Sequence, residues 1–322
     1  MRRTAAAVVA GAALVLSGCT GAADDAAIGD VVQGRTGDLS GVEHVVQLPS
    51  GRVRITLGKP TDAVSAEDAA DGQEHAAPDG GDWVAVDWHF EPGAGLSPFT
   101  RSVMAEDDGP RTTLTLSADD ETYRLGDVAS TTKTPADTRT SGIVHVALPS
   151  GADPVLTVDF DGVTARVDTG SGEVTGELAD ALADPAEPVS GDCGGGDVAG
   201  GRTQVACTWT VTTVPYLPGH GWSDTGWTVA QAETRVDGFT RHGSRYTTSA
   251  ITDASELTGA AASTSEVVDA RLTTLVARAV AEGPATGLSL VRTVEGTKVD
   301  GSGPDTASVT WTTTVPLSGP GG

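Results

Sequence analysis

The sequence predicts an all-β protein made of two tandem antiparallel β-sandwiches, and three observations carry that expectation. Short runs rich in β-branched residues, several alternating polar and apolar side chains, recur along the chain, separated by Gly, Pro and Asp, with no helical crossovers in the first half. At 322 residues the chain has room for two domains of ordinary size. An ungapped comparison of Val144–Asp168 with Val276–Asp300 keeps Val144/Val276, Ala147/Ala279, Gly151/Gly283, Leu156/Leu288, Val167/Val299 and Asp168/Asp300, which suggests two related units. Aromatics make up only 4% of residues, so the cores must rest on Val, Leu, Ile and Ala.

The chain opens with Met1-Arg2-Arg3, an apolar run from Thr4 to Leu16 and small residues before Cys19. Charge, apolar stretch and small residues in that order make a bacterial secretion signal, and the run is too short to span a membrane as a helix. Leu16-Ser17-Gly18-Cys19 resembles the lipobox of bacterial lipoproteins. The resemblance implies cleavage after residue 18 and lipid attachment to Cys19, placing the mature chain on the extracytoplasmic face of the cell membrane. Residues 19–40, largely Ala, Gly and Asp at first, are expected to form a flexible tether.

The first sandwich is expected over residues 41–170. Glu43–Leu48 and Arg52–Lys59 read as strands joined by a turn at Pro49-Ser50-Gly51. In the second run Val53, Ile55 and Leu57 alternate with polar residues, the period of a strand with one buried face. An acidic loop from about Thr61 to Gly81 precedes Asp82–Phe90, whose Val84, Val86, Trp88 and Phe90 mark a central strand. Arg111–Ser117, Glu121–Leu125, Gly142–Leu148, Pro154–Phe160 and Gly162–Asp168 complete the set. Asp82–Phe90, Tyr123 after an Asp-rich turn, and Val144–Pro149 leading into Val155–Val158 resemble the immunoglobulin-like, telokin-like extracellular domains of bacterial lipoproteins. That family supplies no catalytic residues to carry over.

Residues 171–201, rich in Gly, Ala, Asp, Glu and Pro, read as a linker with room for a short helix at Glu177–Ala183. The second sandwich is expected over 202–322, with strands at Gln204–Val214, Gly226–Val236, Ser244–Ile251 and Ala307–Val315. Ser265–Ala281 reads either way. Val268, Leu272, Leu275, Val276 and Ala279 have helical spacing with Ser265 as an N-cap, while Thr273-Thr274 and the valines suit a strand.

The formal charge is −24, and loss of Arg2 and Arg3 with the signal makes it −26. Such a field repels nucleic acid and other polyanions and leaves neutral or cationic ligands, among them another envelope protein. With Cys19 used for lipid, Cys193 and Cys207 remain as a pair, which in an oxidising compartment reads as a disulfide.

The search for chemistry yields few candidates. Two Asp-Thr-Gly triplets, Asp168-Thr169-Gly170 and Asp224-Thr225-Gly226, resemble the carboxylate pair of aspartic proteases, yet they lack apolar surroundings and read as turns. The six histidines form no zinc-ligand spacing, and no nucleophile elbow, phosphate loop or dinucleotide fingerprint is present, so no metal or cofactor is expected. Pro215 to Trp227 gathers Tyr216, Trp222 and Trp227 in a Pro- and Gly-rich stretch. It reads as a recognition loop or as a cap on the core. The function expected is a lipid-anchored, non-catalytic binding or scaffold module of the envelope, the alternative being a hydrolase whose site is assembled from scattered polar residues.

Overall fold

The structure is a computed structural model that describes residues 26–35, 39–105, 110, 112–119, 121–128 and 140–317. The signal segment, Cys19, and residues 20–25 and 36–38 of the expected tether lie outside these residues, as does Arg111.

In chain order the first half contains β1 (Val31–Gln33), β2 (Gly41–Leu48), β3 (Gly51–Gly58), β4 (Ala63–Val64), β5 (His75–Ala76), β6 (Gly81–Pro92), α1 (Pro98–Val103), β7 (Thr112–Ala118), β8 (Glu121–Val128), β9 (Ser141–Pro149), β10 (Val155–Phe160), β11 (Val163–Asp168), β12 (Val174–Thr175) and α2 (Glu177–Leu182). Each strand expected here forms, with ends shifted by a few residues. One antiparallel sheet runs β1-β9-β6-β3-β2 and the facing one β12-β11-β10-β7-β8. Val53, Ile55 and Leu57 of β3 and Val84, Val86, Trp88 and Phe90 of β6 enter the shared core with Leu114, Leu116, Leu156 and Val158 from the opposite sheet. Alternation in sequence has become burial of one face. β6 is the central strand of its sheet.

Two segments do more than their composition suggests. Within the stretch expected as a tether, Val31–Gln33 pairs with β9 in the register Val31↔Val146 to Gln33↔Val144, because its valines complete an open sheet edge. The acidic loop after β3 folds back over the outer face of the first sheet. There β4 pairs with β5, and Val64, Ala69, Trp83 and Ala147 form a small second core, so β6 is buried on both faces near its start.

The second half contains β13 (Val189–Asp192), β14 (Asp197–Ala199), β15 (Arg202–Thr203), β16 (Ala206–Leu217), β17 (Gly221–Arg235), β18 (Gly238–Arg241), β19 (Ser244–Asp253), β20 (Glu256–Thr258), β21 (Thr264–Ala270), β22 (Thr274–Glu282), β23 (Gly287–Asp300) and β24 (Thr306–Pro316). One sheet runs β13-β16-β17-β22-β21, the other β14-β24-β23-β19-β18-β15, with β20 beside β23. The core is built on small residues, with Ala230, Ala232, Ala277, Ala279 and Ala281 all buried. Within it Arg292 is fully buried. Its Nε donates to Thr234 Oγ1 at 3.2 Å, and Nη1 donates to Ser255 Oγ at 2.6 Å and to the Asp253 carboxylate. Burial pushes the guanidinium down to about 10, which leaves it charged at neutral pH.

The two halves follow similar paths. In each, three strands adjacent in one sheet (β2-β3-β6, β13-β16-β17) are extended by a later strand (β9, β22), and the chain then crosses to pair with the facing sheet (β10 with β7, β23 with β19). In the second half β14 and β15 of the facing sheet intervene between β13 and β16, and β21 precedes β22 in the same sheet. Val144 and Val276 lie on β9 and β22 and Leu156 and Leu288 on β10 and β23, whereas Val167 and Asp168 lie on β11 and their matches Val299 and Asp300 remain on β23, so the sequence match follows the fold only through its first part.

Ser265–Ala281 is strand rather than helix: β21 and β22 are antiparallel neighbours at a sheet edge. The residues read as a linker also take part in the fold. They carry β12 and α2 against the first sandwich and β13 and β14 as strands of the second. The Cys193–Cys207 disulfide is formed, and it holds the chain after β13 to the start of β16.

Candidate functional site

The stretch that gathers Tyr216, Trp222 and Trp227 is the distal end of the β16–β17 hairpin. Pro215 has no N–H to give to the ladder, and the register shifts there: Val214 pairs with Trp227, and Tyr216 with Trp222. Ser223-Asp224-Thr225-Gly226 is therefore displaced from the pairing as an irregular bulge of four residues opposite Pro215. Gly226 at φ +76° closes it in a conformation that disfavours a side chain, and its carbonyl accepts from Gly283 N at 2.7 Å. Ser223 Oγ donates to Glu282 Oε1 at 2.9 Å, which fixes the bulge to β22.

The aromatic side chains of this tip reach into the first sandwich. Phe160, Tyr216 and Trp222 form a triangle of edge-to-face contacts with centroids 5.0 to 5.9 Å apart, and Trp222 Nε1 donates to Phe160 O at 3.3 Å. Tyr216 is buried and Trp222 half-buried, and Val214, Leu217 and Val229 join the same core as the strands of the first half. Trp227 packs partly buried against the same core, edge-on to His220 at 5.0 Å, with its Nε1 donating to Gly221 O at 2.9 Å.

Beside this junction lies a cleft of about 1170 Å³. One wall is the first sandwich with α1 and α2, including Leu96, Met104 and Leu182. The other is the hairpin tip, with Val214, Pro215 and Trp222. α1 is held at the cleft by Ser97, whose Oγ caps Thr100 N at 3.1 Å, with Pro98 in the first turn. α2 is only six residues long and is set by its surroundings. Leu178 is fully buried, and Gly176 turns the chain at φ +108° where a Cβ would lie 2.7 Å from Thr164 O. That turn leaves Glu177 and Asp180 exposed on the cleft rim, followed by Asp184 and Glu187, with Asp224 facing from the hairpin.

Of the residues predicted from sequence, the structure brings Trp222 and Asp224 to this cleft, buries Tyr216 beneath it and leaves Trp227 outside its lining. Four acidic rim positions come from the stretch that composition marked as a linker. Their signal was present as Leu178 and Leu182 at helical spacing with carboxylates between and beyond them, although one helical turn and a half is too short for a firm periodic pattern.

No family model, curated protein or solved structure matches this chain. The site is accordingly read from its own chemistry.

The first Asp-Thr-Gly triplet is a closed turn. Asp168 Oδ1 accepts from Ser171 N at 2.7 Å and Gly170 N at 3.0 Å, and these bonds, that from Ser171 foremost, hold its carboxyl below the usual range. The second triplet is the bulge just described. Of the histidines on strands, His44 and His145 are buried, and burial pushes both imidazoles down, while His89 on β6 is exposed and His75 on β5 half-buried. Among the described residues no group of three or more His, Cys, Asp or Glu side chains is placed to hold a metal ion. Among those residues, too, no helix is long and apolar enough to cross a membrane.

Proposed function

We propose that this chain is a lipid-anchored protein of the bacterial cell envelope that works without catalysis, as a binding module whose ligand enters the cleft between the two sandwiches. The observation that carries the reading is the cleft itself: a large concavity at a junction between units, apolar at its walls, polar at its rim and bordered by a half-buried tryptophan. Such junctions are preferred places for binding sites, and Trp offers much contact area for few rotatable bonds. Both sandwiches are read as immunoglobulin-like, the first as telokin-like. The Cys193–Cys207 disulfide suits an oxidising compartment outside the cytoplasm.

In this reading Cys19 carries the lipid and the membrane is the first partner. Cys19→Ala is then expected to abolish metabolic lipid labelling and to move the protein from the membrane fraction to the soluble envelope fraction or the medium. Labelling that survives the substitution rejects the anchor.

A further inference from the structure

We infer that the cleft takes an extended peptide segment bearing two or more lysine or arginine side chains with apolar residues between them. The inference rests on the cleft being the ligand site and adds the class of ligand. Three features point to it together. The walls are apolar, with Leu96, Met104, Leu182, Val214, Pro215 and Trp222 available to a hydrophobic side chain. The lip is acidic: Glu177, Asp180, Asp184, Glu187 and Asp224 stand against Arg52, the one basic side chain of the lining among the described residues, whose Nε already donates to Gln47 Oε1 at 3.0 Å. None of the five carboxylates has an ion-pair partner among the described residues, so their charge is available to a ligand.

The third feature is size and layout. At about 1170 Å³ the cleft exceeds the roughly 300 to 1,000 Å³ of most small-molecule pockets. Four of the carboxylates come from one short stretch, at intervals of three or four residues along α2 and the chain beyond it, and the fifth, Asp224, comes from the hairpin, so both walls contribute to the acidic lip. An extended peptide places alternate side chains on one face about 6.6 to 6.8 Å apart, so several cations can meet the acidic lip while the side chains between them turn to the other face. A compact organic cation would leave most of the acidic lip and the apolar wall unused. The overall negative charge of the protein adds long-range attraction for such a segment, weakened by salt.

The test uses the full chain in detergent micelles and a fluorescently labelled Lys-Leu-Lys-Leu-Lys peptide, followed by anisotropy at low and moderate salt. A cleft triple variant (Glu177→Gln, Asp180→Asn, Asp184→Asn) is compared with a charge-matched triple on the distant acidic loop (Glu67→Gln, Glu74→Gln, Asp79→Asn). All six positions are exposed, and circular dichroism checks that both variants fold. The expected result is binding that the cleft triple weakens about tenfold and the loop triple by less than about twofold, with the Gln-Leu-Gln-Leu-Gln peptide much weaker. Equal losses in the two triples would mean that the peptide follows net charge, and would overturn the inference. Equal binding of the glutamine peptide, abolished by Trp222→Ala, would overturn the cationic class yet keep the cleft as a binding site. Spermine binding in place of the peptide would overturn the peptide class. Absence of binding by every probe would remove the inference, leaving the cleft reading to be decided by cross-linking in the native envelope.

Discussion

Trp222 serves two surfaces at once. Its ring packs edge-on against Phe160 and Tyr216 and its Nε1 donates to Phe160 O, so it joins the second sandwich to the first, while its remaining surface lines the cleft. Trp222→Ala is therefore expected to lower stability by about 2 to 3 kcal/mol, less than a fully buried Trp would cost, measured as a shift of the urea midpoint. An unchanged midpoint would show that the aromatic triangle contributes nothing to holding the halves together. His145 supplies a second residue-scale test. Burial is the main cause of its lowered pKa, with Asp68 opposing and His75 assisting through charge. The unfolded chain takes up a proton on this residue near pH ~6.5 whereas the folded chain resists until lower pH, so acidification through that window favours unfolding. Stability should rise with pH up to about 6.5 and then level, and His145→Gln should flatten part of that slope. A variant with the same slope as the parent would assign the pH dependence elsewhere.

Among the elements, those that alternate Val, Leu or Ile with polar residues were legible beforehand. β3 and β6 are examples, since bulky side chains on one face announce the period directly. β22 was not, for a reason particular to this chain: its buried face is Leu275, Ala277, Ala279 and Ala281, and alanine says little about period. The larger Val276 and Val280 sit on the other, half-buried face, and with the exposed Val268 and Leu272 they mimic a helical stripe. α2 and the strands of 171–201 were hidden by shortness and by Gly-, Asp- and Pro-rich composition. Their conformation is imposed by neighbours, through the burial of Leu178 and the pairing of β13 with β16. The disulfide was legible by counting cysteines, and it holds this irregular stretch. Cys193 N donates to Cys207 O at 3.0 Å, and Thr313 Oγ1 of the opposite sheet donates to Cys193 O at 3.3 Å. Replacing both cysteines by serine should cost about 3 kcal/mol in chemical denaturation, the chain-entropy value for a loop of about 15 residues. Loss of less than about 1 kcal/mol would mean that the ladder alone holds β13 and β14.

At the scale of the whole molecule, the first core continues into the second sandwich through Val214, Tyr216, Leu217 and Val229, so the cleft is bounded by parts that pack against one another. The net −24 leaves neutral or cationic ligands, and the aromatic stretch supplies one wall of the cleft. The opposite wall could not be foreseen, because it depends on how Gly176 and the turn after β12 set α2 beside the hairpin, a tertiary outcome without a local signal. The central claim is that this cleft, on an anchored protein, is where a partner binds. It is tested most directly by placing a photo-crosslinking residue at Asp224 or Glu187, and in a control at Glu67 on the far acidic loop, then irradiating intact cells. The account predicts a discrete adduct from both cleft positions and none from the loop, with the adduct lost when Glu177, Asp180 and Asp184 are neutralised. Adducts of equal yield from Glu67, or adducts from the loop alone, would contradict it.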